Sequence, residues 1–88
     1  MKVEYLKQFS KDLLKIKDES LKNDLFDCII ALKNTESLNV LPNIKKLKGQ
    51  QYAYRIRIGK YTLGFYFDAE ILDLARFVKR EDIYKLFP

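Results

Sequence analysis

The chain has no histidine and no tryptophan, one cysteine, two prolines and three glycines in 88 residues. Without histidine there can be no His-based nucleophilic triad, no His–His acid–base pair and no His metal site. Catalysis, if any, falls to Lys, Arg, Tyr, Asp or Glu. Cys28 stands alone, so an intramolecular disulfide and a cysteine zinc cluster are excluded. It sits in the apolar run Phe26-Asp27-Cys28-Ile29-Ile30 and reads as a small core residue rather than a nucleophile. No apolar run approaches the ~18 residues of a membrane span, and Met1-Lys2-Val3-Glu4-Tyr5 lacks the hydrophobic region of a signal peptide. A cytoplasmic protein with no membrane partner is expected.

What is present is globular. The apolar share is 48%, with six Tyr and six Phe, which suits one small folded domain over 1–88. A chain this short buries only roughly 60–65% of its unfolded surface, so its core is thin. The formal charge of +5 fits RNA, DNA, a ribosome or an acidic protein as partner.

The apolar period changes once along the chain. Val3 and Tyr5 alternate as in a short strand. Leu6, Phe9, Leu13 and Ile16 share a helix face, and Lys15-Ile16-Lys17-Asp18 ends that helix. Asp18 is placed to cap the next helix, with Glu19 in its positive first turn. Leu21, Leu25, Cys28, Ile29 and Leu32 then mark the clearest helix, stopped at Asn34-Thr35-Glu36-Ser37. The short break predicts an antiparallel helical hairpin. Residues 38–43 read as irregular, with room for one helical turn, and Pro42 bars a central strand there.

From there the period is two. Residues 44–47 are a candidate strand, and 52–58 alternate, with Tyr54, Ile56 and Ile58 on one face and Arg55 and Arg57 on the other. Gly59-Lys60 suits a type II′ hairpin turn. Residues 61–67 return as the partner strand, 71–78 form a last, more buried strand, and 80–87 a short terminal helix. The expected class is α+β: an N-terminal strand and a helical hairpin packed on an antiparallel sheet, β-α-α-β-β-β with a short C-terminal helix.

Three runs carry a more specific signal: Leu47-Lys48-Gly49, Tyr54-Arg55-Ile56-Arg57-Ile58-Gly59-Lys60-Tyr61 and Lys79-Arg80-Glu81-Asp82-Ile83-Tyr84. With this element order and length, the whole chain resembles the RelE/ParE toxin superfamily of type II toxin–antitoxin systems. The RelE branch implies a metal-independent endoribonuclease that cuts mRNA on the ribosome and inhibits translation. The ParE branch implies a DNA gyrase inhibitor without RNase activity. Both imply a cognate antitoxin, and neither calls for a cofactor. A degenerate, non-toxic relative is a third reading.

RNA cleavage without metal needs a group to take the 2′-OH proton, charge to stabilise the phosphorane, and a proton for the leaving 5′-oxygen. Arg57 and Arg80 suit the second task, because a guanidinium fork matches phosphate oxygens and stays charged. Tyr84, four residues after Arg80, is placed on the same helix face, and the matching tyrosine of the family is catalytic or base-stacking. Lys79 is a candidate acid or base at a position where many relatives have His and some Lys. The catalytic set is therefore Arg57, Lys79, Arg80 and Tyr84, and Lys46, Lys48 and Arg55 are the candidate RNA or phosphate contacts. Structural alternatives stand beside these roles. Arg55 and Arg57 could be a solvated sheet face, Lys45, Lys46 and Lys48 a steering patch, and Tyr84 an anchor for the tail. Arg76 is expected to pair with a carboxylate or lie on a strand edge. Tyr52, Tyr54, Tyr61, Phe65 and Phe67 are assigned to packing.

The chain departs from the family after the turn, where Gly-Asp-Tyr-Arg is common and Gly59-Lys60-Tyr61-Thr62 stands here. Thr62 replaces an arginine, and a lost charged donor costs on the order of 3 kcal/mol in a transition state. Gly64 leaves a shallow spot on the same strand face, which invites a close approach.

Overall fold

The computed structural model describes residues 1–38, 41 and 43–88. Its elements are β1 (Lys2–Tyr5), α1 (Lys7–Leu14), α2 (Glu19–Asn34), β2 (Ile44–Lys46), β3 (Ala53–Ile58), β4 (Tyr61–Asp68), β5 (Ile71–Lys79) and α3 (Ile83–Leu86). The α+β expectation holds. Positions 39, 40 and 42 of the irregular stretch, Pro42 included, lie outside the described residues; Leu38 is buried.

The sheet has five strands in the order β1-β5-β4-β3-β2. It differs from the expected antiparallel sheet at one pair, because β1 runs parallel to β5. Parallel neighbours need a long connection, and here the two helices and the meander supply it. The helices carry the chain from β1 to the far edge, and β2 to β5 walk back until β5 meets β1. α3 spans only four residues, and Arg80 to Asp82 form a turn ahead of it rather than its first helical turn.

Local chemistry sets the boundaries. The Asp18 carboxylate accepts from Leu21 N–H at 3.2 Å, so the predicted cap starts α2. Gly59 has φ +59° while Lys60 stays out of the left-handed region, the pattern of a II′ turn. The β4–β5 turn is less regular chemically. Ala69 and Glu70 both take positive φ, 51° and 71°, as a type I′ turn demands, although neither is Gly, Asn or Asp.

Two cores flank the sheet. On one face Phe9 of α1 and Leu25, Ile29 and Leu32 of α2 pack on Ile56, Leu63, Phe65, Leu72, Leu74 and Phe77. Each such side chain contributes roughly 1.5–3 kcal/mol by leaving water. On the other face Ile83 and Phe87 pack on Leu47, Ala53 and Ala75. Leu74 and Phe77 both serve the first core although their spacing is odd. A bulge resolves this: Phe65 pairs with Leu74 and Gly64 with Arg76, which leaves Ala75 as an extra residue.

At the bulge, Asp12 of α1 clamps β5. Its carboxylate accepts from Arg76 Nε at 2.8 Å, Arg76 Nη2 at 3.1 Å and Phe77 N–H at 3.0 Å. Arg76 therefore pairs with a carboxylate, the first of its two expected roles. The ring assignments hold for Tyr54, which stacks on Phe65 at 5.7 Å, and for Tyr61, which stacks on Phe77 at 5.2 Å. Tyr52 is exposed instead, because it precedes β3 rather than lying within it.

Candidate functional site

β3 delivers its arginines to the face opposite the helices, because Ile56 and Ile58 take the helix side. The two arginines differ. Arg57 is exposed, whereas Arg55 is buried at 7% exposure. Arg55 lies between Lys45 on β2 and Gly64 on β4. Its Nε is sealed from water without a partner, and among the described residues no carboxylate pairs with it. Of the two alternatives drawn from sequence, a solvated face describes Arg57 but not Arg55. Arg55, Arg57, Lys45, Asn43 and Ile44 line one cleft at the β2 edge.

Arg57 pairs across β4 with Thr62, which in turn pairs with Val78 of β5. Thr62 is 1% exposed and its hydroxyl has no partner among the described residues. It is a packed residue, so no charge at that position faces the site.

Two of the C-terminal candidates, Lys79 and Arg80, lie beside the Gly59-Lys60 turn. Arg80 N–H donates to Lys60 C=O at 2.9 Å, which holds the residue beside the turn. Lys79 pairs with Tyr61 and is exposed. Lys60, Tyr61, Lys79, Arg80 and Glu81 line a second cleft of about 450 Å³. The candidate residues thus line two clefts that do not share one face: Lys79, paired with Tyr61, belongs to the helix side of the sheet, whereas Arg55 and Arg57 face away from the helices.

Tyr84 is 66% exposed on α3, beside the buried Ile83. It does not anchor the tail; Ile83 and Phe87 do. The shared helix face with Arg80 does not arise, since Arg80 precedes the helix. Lys46 is exposed and pairs with Tyr54, which places it on the helix side of the edge strand, away from Arg55. Lys48 is exposed in the loop before Gly49. Lys45 and Lys60 line these clefts although the sequence reading placed them only in a steering patch and in the turn, not among the site residues. Register alone reveals Lys45, because only the offset of β2 against β3 decides which lysine meets Arg55.

Cys28 lies half-buried, and desolvation pushes its thiol up to about 11, so it stays protonated. Among the described residues no cluster of His, Cys, Asp or Glu is fit for a metal ion. No helix there is long and apolar enough to cross a membrane.

The domain thus carries a helical layer on one sheet face, the Arg55 and Arg57 cleft on the other, and the Lys60, Lys79 and Arg80 cleft at the Gly59-Lys60 end of the sheet. No family model matches the chain. It is 36% identical over 89 residues to Toxin RelE3 of Methanocaldococcus jannaschii, with 100% of both sequences aligned. It is 33% identical over 85 residues to Putative toxin RelE1 of the same organism, covering 94% of this chain and 93% of that one. A chain of the RelB-RelE antitoxin-toxin complex from Methanococcus jannaschii superposes with a TM-score of 0.82 at 33% identity, over 97% of this chain and 99% of the other. The YoeB dimer of Staphylococcus aureus, at 17% identity, shares the fold with a TM-score of 0.70. The chain belongs to the RelE toxin family.

Proposed function

We propose that this toxin is a metal-independent, ribosome-dependent mRNA endoribonuclease that inhibits translation and is neutralised by a cognate antitoxin. The observation that carries the reading is the cation-rich cleft of Lys60, Lys79 and Arg80 at the Gly59-Lys60 turn, in which Glu81 is the one acid among the described lining residues, with Arg57 near the same end of the sheet on its other face. In the reaction the 2′-oxygen attacks the adjacent phosphorus, its proton passes to a base, the bond to the 5′-oxygen breaks, and that oxygen takes up a proton. Arg57 and Arg80 stabilise the extra charge on the phosphorane. Lys79, next to Arg80 in the chain, and Tyr84, on α3, are assigned the proton transfers. The exposure of Tyr84 suits a group that meets RNA. Arg55 and Lys48 take neighbouring phosphates, with Lys45 added from the strand register, whereas Lys46 lies on the helix side of β2 and away from Arg55. The antitoxin assignment is supported by the likeness to a chain crystallised with RelB.

The test is a translating extract programmed with a defined mRNA, read by primer extension. New 5′ ends within the coding region are expected only when ribosomes translate. Intact mRNA together with blocked DNA supercoiling by purified gyrase would overturn the reading and select the ParE-like one.

A further inference from the structure

β1 forms one edge of the sheet, and among the described residues no strand pairs with its outer side. The N–H groups of Lys2 and Leu6 donate inward, to Glu70 C=O at 3.3 Å and Leu74 C=O at 3.0 Å. Backbone polar groups point alternately to the two sides of a strand, so those of Val3 and Tyr5 point outward. Side chains alternate between the two faces as well. Val3 packs on the core under the helices and the Tyr5 ring lies 6.1 Å from that of Phe9, so both take the helix side. Lys2 and Glu4 take the other face, where they form an exposed ion pair at 3.4 Å.

A short, charged edge strand ordinarily guards a sheet against pairing with another. The order of the charges on β1 is also complementary to itself. Let a second β1 lie antiparallel, with Val3 opposite Val3 of the other copy. The outward N–H and C=O of each Val3 then bond reciprocally. Lys2 of each copy stands opposite Glu4 of the other, so two opposite-charge pairs form across the strands. A slip of two residues sets Glu4 against Glu4, with Asp73 beside each, and is repelled. One register is selected.

The helical layer adds an apolar patch along the same edge. Lys33 of α2 lies 5.6 Å from the Tyr5 ring, which marks the flank of α2 that faces β1. Phe26 and Ile30 share that flank, seven and three positions before Lys33. They are 46% and 55% exposed, and Tyr5 is 47% exposed.

We infer that β1 is the contact of a symmetric homodimer, in which two five-stranded sheets join edge to edge and the Phe26–Ile30 flanks of the two α2 helices cover each other. The two-fold axis passes through the Val3 pair perpendicular to the sheet and keeps both helical layers on one face. Four strand residues bury little area, so the apolar flanks supply much of what a stable pair needs. The Arg55 and Arg57 cleft lies at the opposite edge of the sheet and stays open. The inference stands apart from the nuclease reading, since it concerns self-association alone.

The test is sedimentation velocity of the full chain over a concentration series. A species of twice the 10.5 kDa of one chain is expected as concentration rises. Glu4→Lys and Lys2→Glu each create two like-charge pairs, and each should raise the dimer Kd about tenfold or more, about 1.4 kcal/mol or more. An equimolar mixture of the two variants should recover the dimer, because an all-basic edge then meets an all-acidic one. That recovery also shows that both variants fold. Ile30→Glu, at an exposed helix position, should weaken the dimer through the α2 flank while thermal melting stays close to the parent's. A parent that remains monomeric throughout leaves the edge guarded by its charges and overturns the proposal. So does a dimer indifferent to the charge reversals and to Ile30→Glu. Folded variants that stay monomeric when mixed overturn it as well.

Discussion

The ring of Phe87 occupies the space that a side chain at position 64 would need. A Cβ built on Gly64 would stand 2.7 Å from Phe87 Cδ2. The close approach that Gly64 invites is made by the chain's own tail, which holds α3 against the sheet face opposite the helices. Gly64→Ala must displace the ring, so a loss of about 1–3 kcal/mol in urea unfolding is expected. Because Tyr84 rides on the same short helix, mRNA cleavage should fall as well. A variant of unchanged stability would show that Phe87 has room to move.

Much of this fold was legible because its core obeys two clean periods. The 3.6-residue rows of α2 and the alternation of β3 each name one buried face, and Asp18 marks a boundary by a specific hydrogen bond. What was hidden depends on pairing between distant segments. The parallel β1–β5 pair, the bulge at Ala75 and the offset of β2 against β3 leave no local trace. For the site, the arginine face of β3 was readable. That Arg55 is buried, that Lys45 rather than Lys46 joins it, and that Thr62 is sealed all follow from neighbouring strands and from α3.

Thr62 gives a sharp test of its role. Its buried hydroxyl has no partner, and such a group loses its hydration without recompense. Thr62→Val replaces it with a methyl group of nearly the same shape and should stabilise the domain by about 1 kcal/mol, with cleavage retained. Thr62→Arg, which restores the residue common in the family, should instead destabilise the fold by burying a charge at a position that is 1% exposed. Denaturant midpoints of the two variants should move in opposite directions. A stable and more active Thr62→Arg protein would show that the side chain can escape to solvent.

The Ala69-Glu70 turn carries backbone strain at two adjacent non-glycine residues. Left-handed conformations cost on the order of 1 kcal/mol each for such residues. The double change Ala69→Asn and Glu70→Gly supplies the residues that a type I′ turn prefers. A gain of about 1–2 kcal/mol is expected, read as a rise in the urea midpoint with an unchanged slope. A lower midpoint would show that the turn is held by its side chains rather than by its backbone.

Arg80→Ala tests the second cleft. Arg80 is exposed and is held in place through its backbone N–H, which alanine keeps. Melting should therefore shift little. Loss of a charged donor to the phosphorane should lower the single-turnover cleavage rate by about 10²–10³-fold. Rapid cleavage by a folded Arg80→Ala protein would remove this residue from the catalytic set.

Acid should strengthen the edge of the sheet at Glu4 and Asp73, which face each other across the parallel β1–β5 pair. One oxygen of Asp73, Oδ1, is sealed without a partner while the rest of the side chain meets solvent. Desolvation first, and then the charge of Glu4 and hydrogen bonding to it, raise the Asp73 carboxyl above the ordinary value of 3.8. Between that value and the raised one, the folded chain holds more proton than the unfolded chain. Stability must then fall as pH rises through this window, and the penalty is complete above it. Asp73→Asn should remove this slope. Glu4→Gln should reduce it and add a few tenths of a kcal/mol at neutral pH by removing a like-charge neighbour, although it also gives up the exposed Lys2–Glu4 ion pair at 3.4 Å, which is worth little. Urea midpoints measured from below pH 3.8 up to neutral pH decide the matter. If Asp73→Asn keeps the parent's slope, another group controls the acid response.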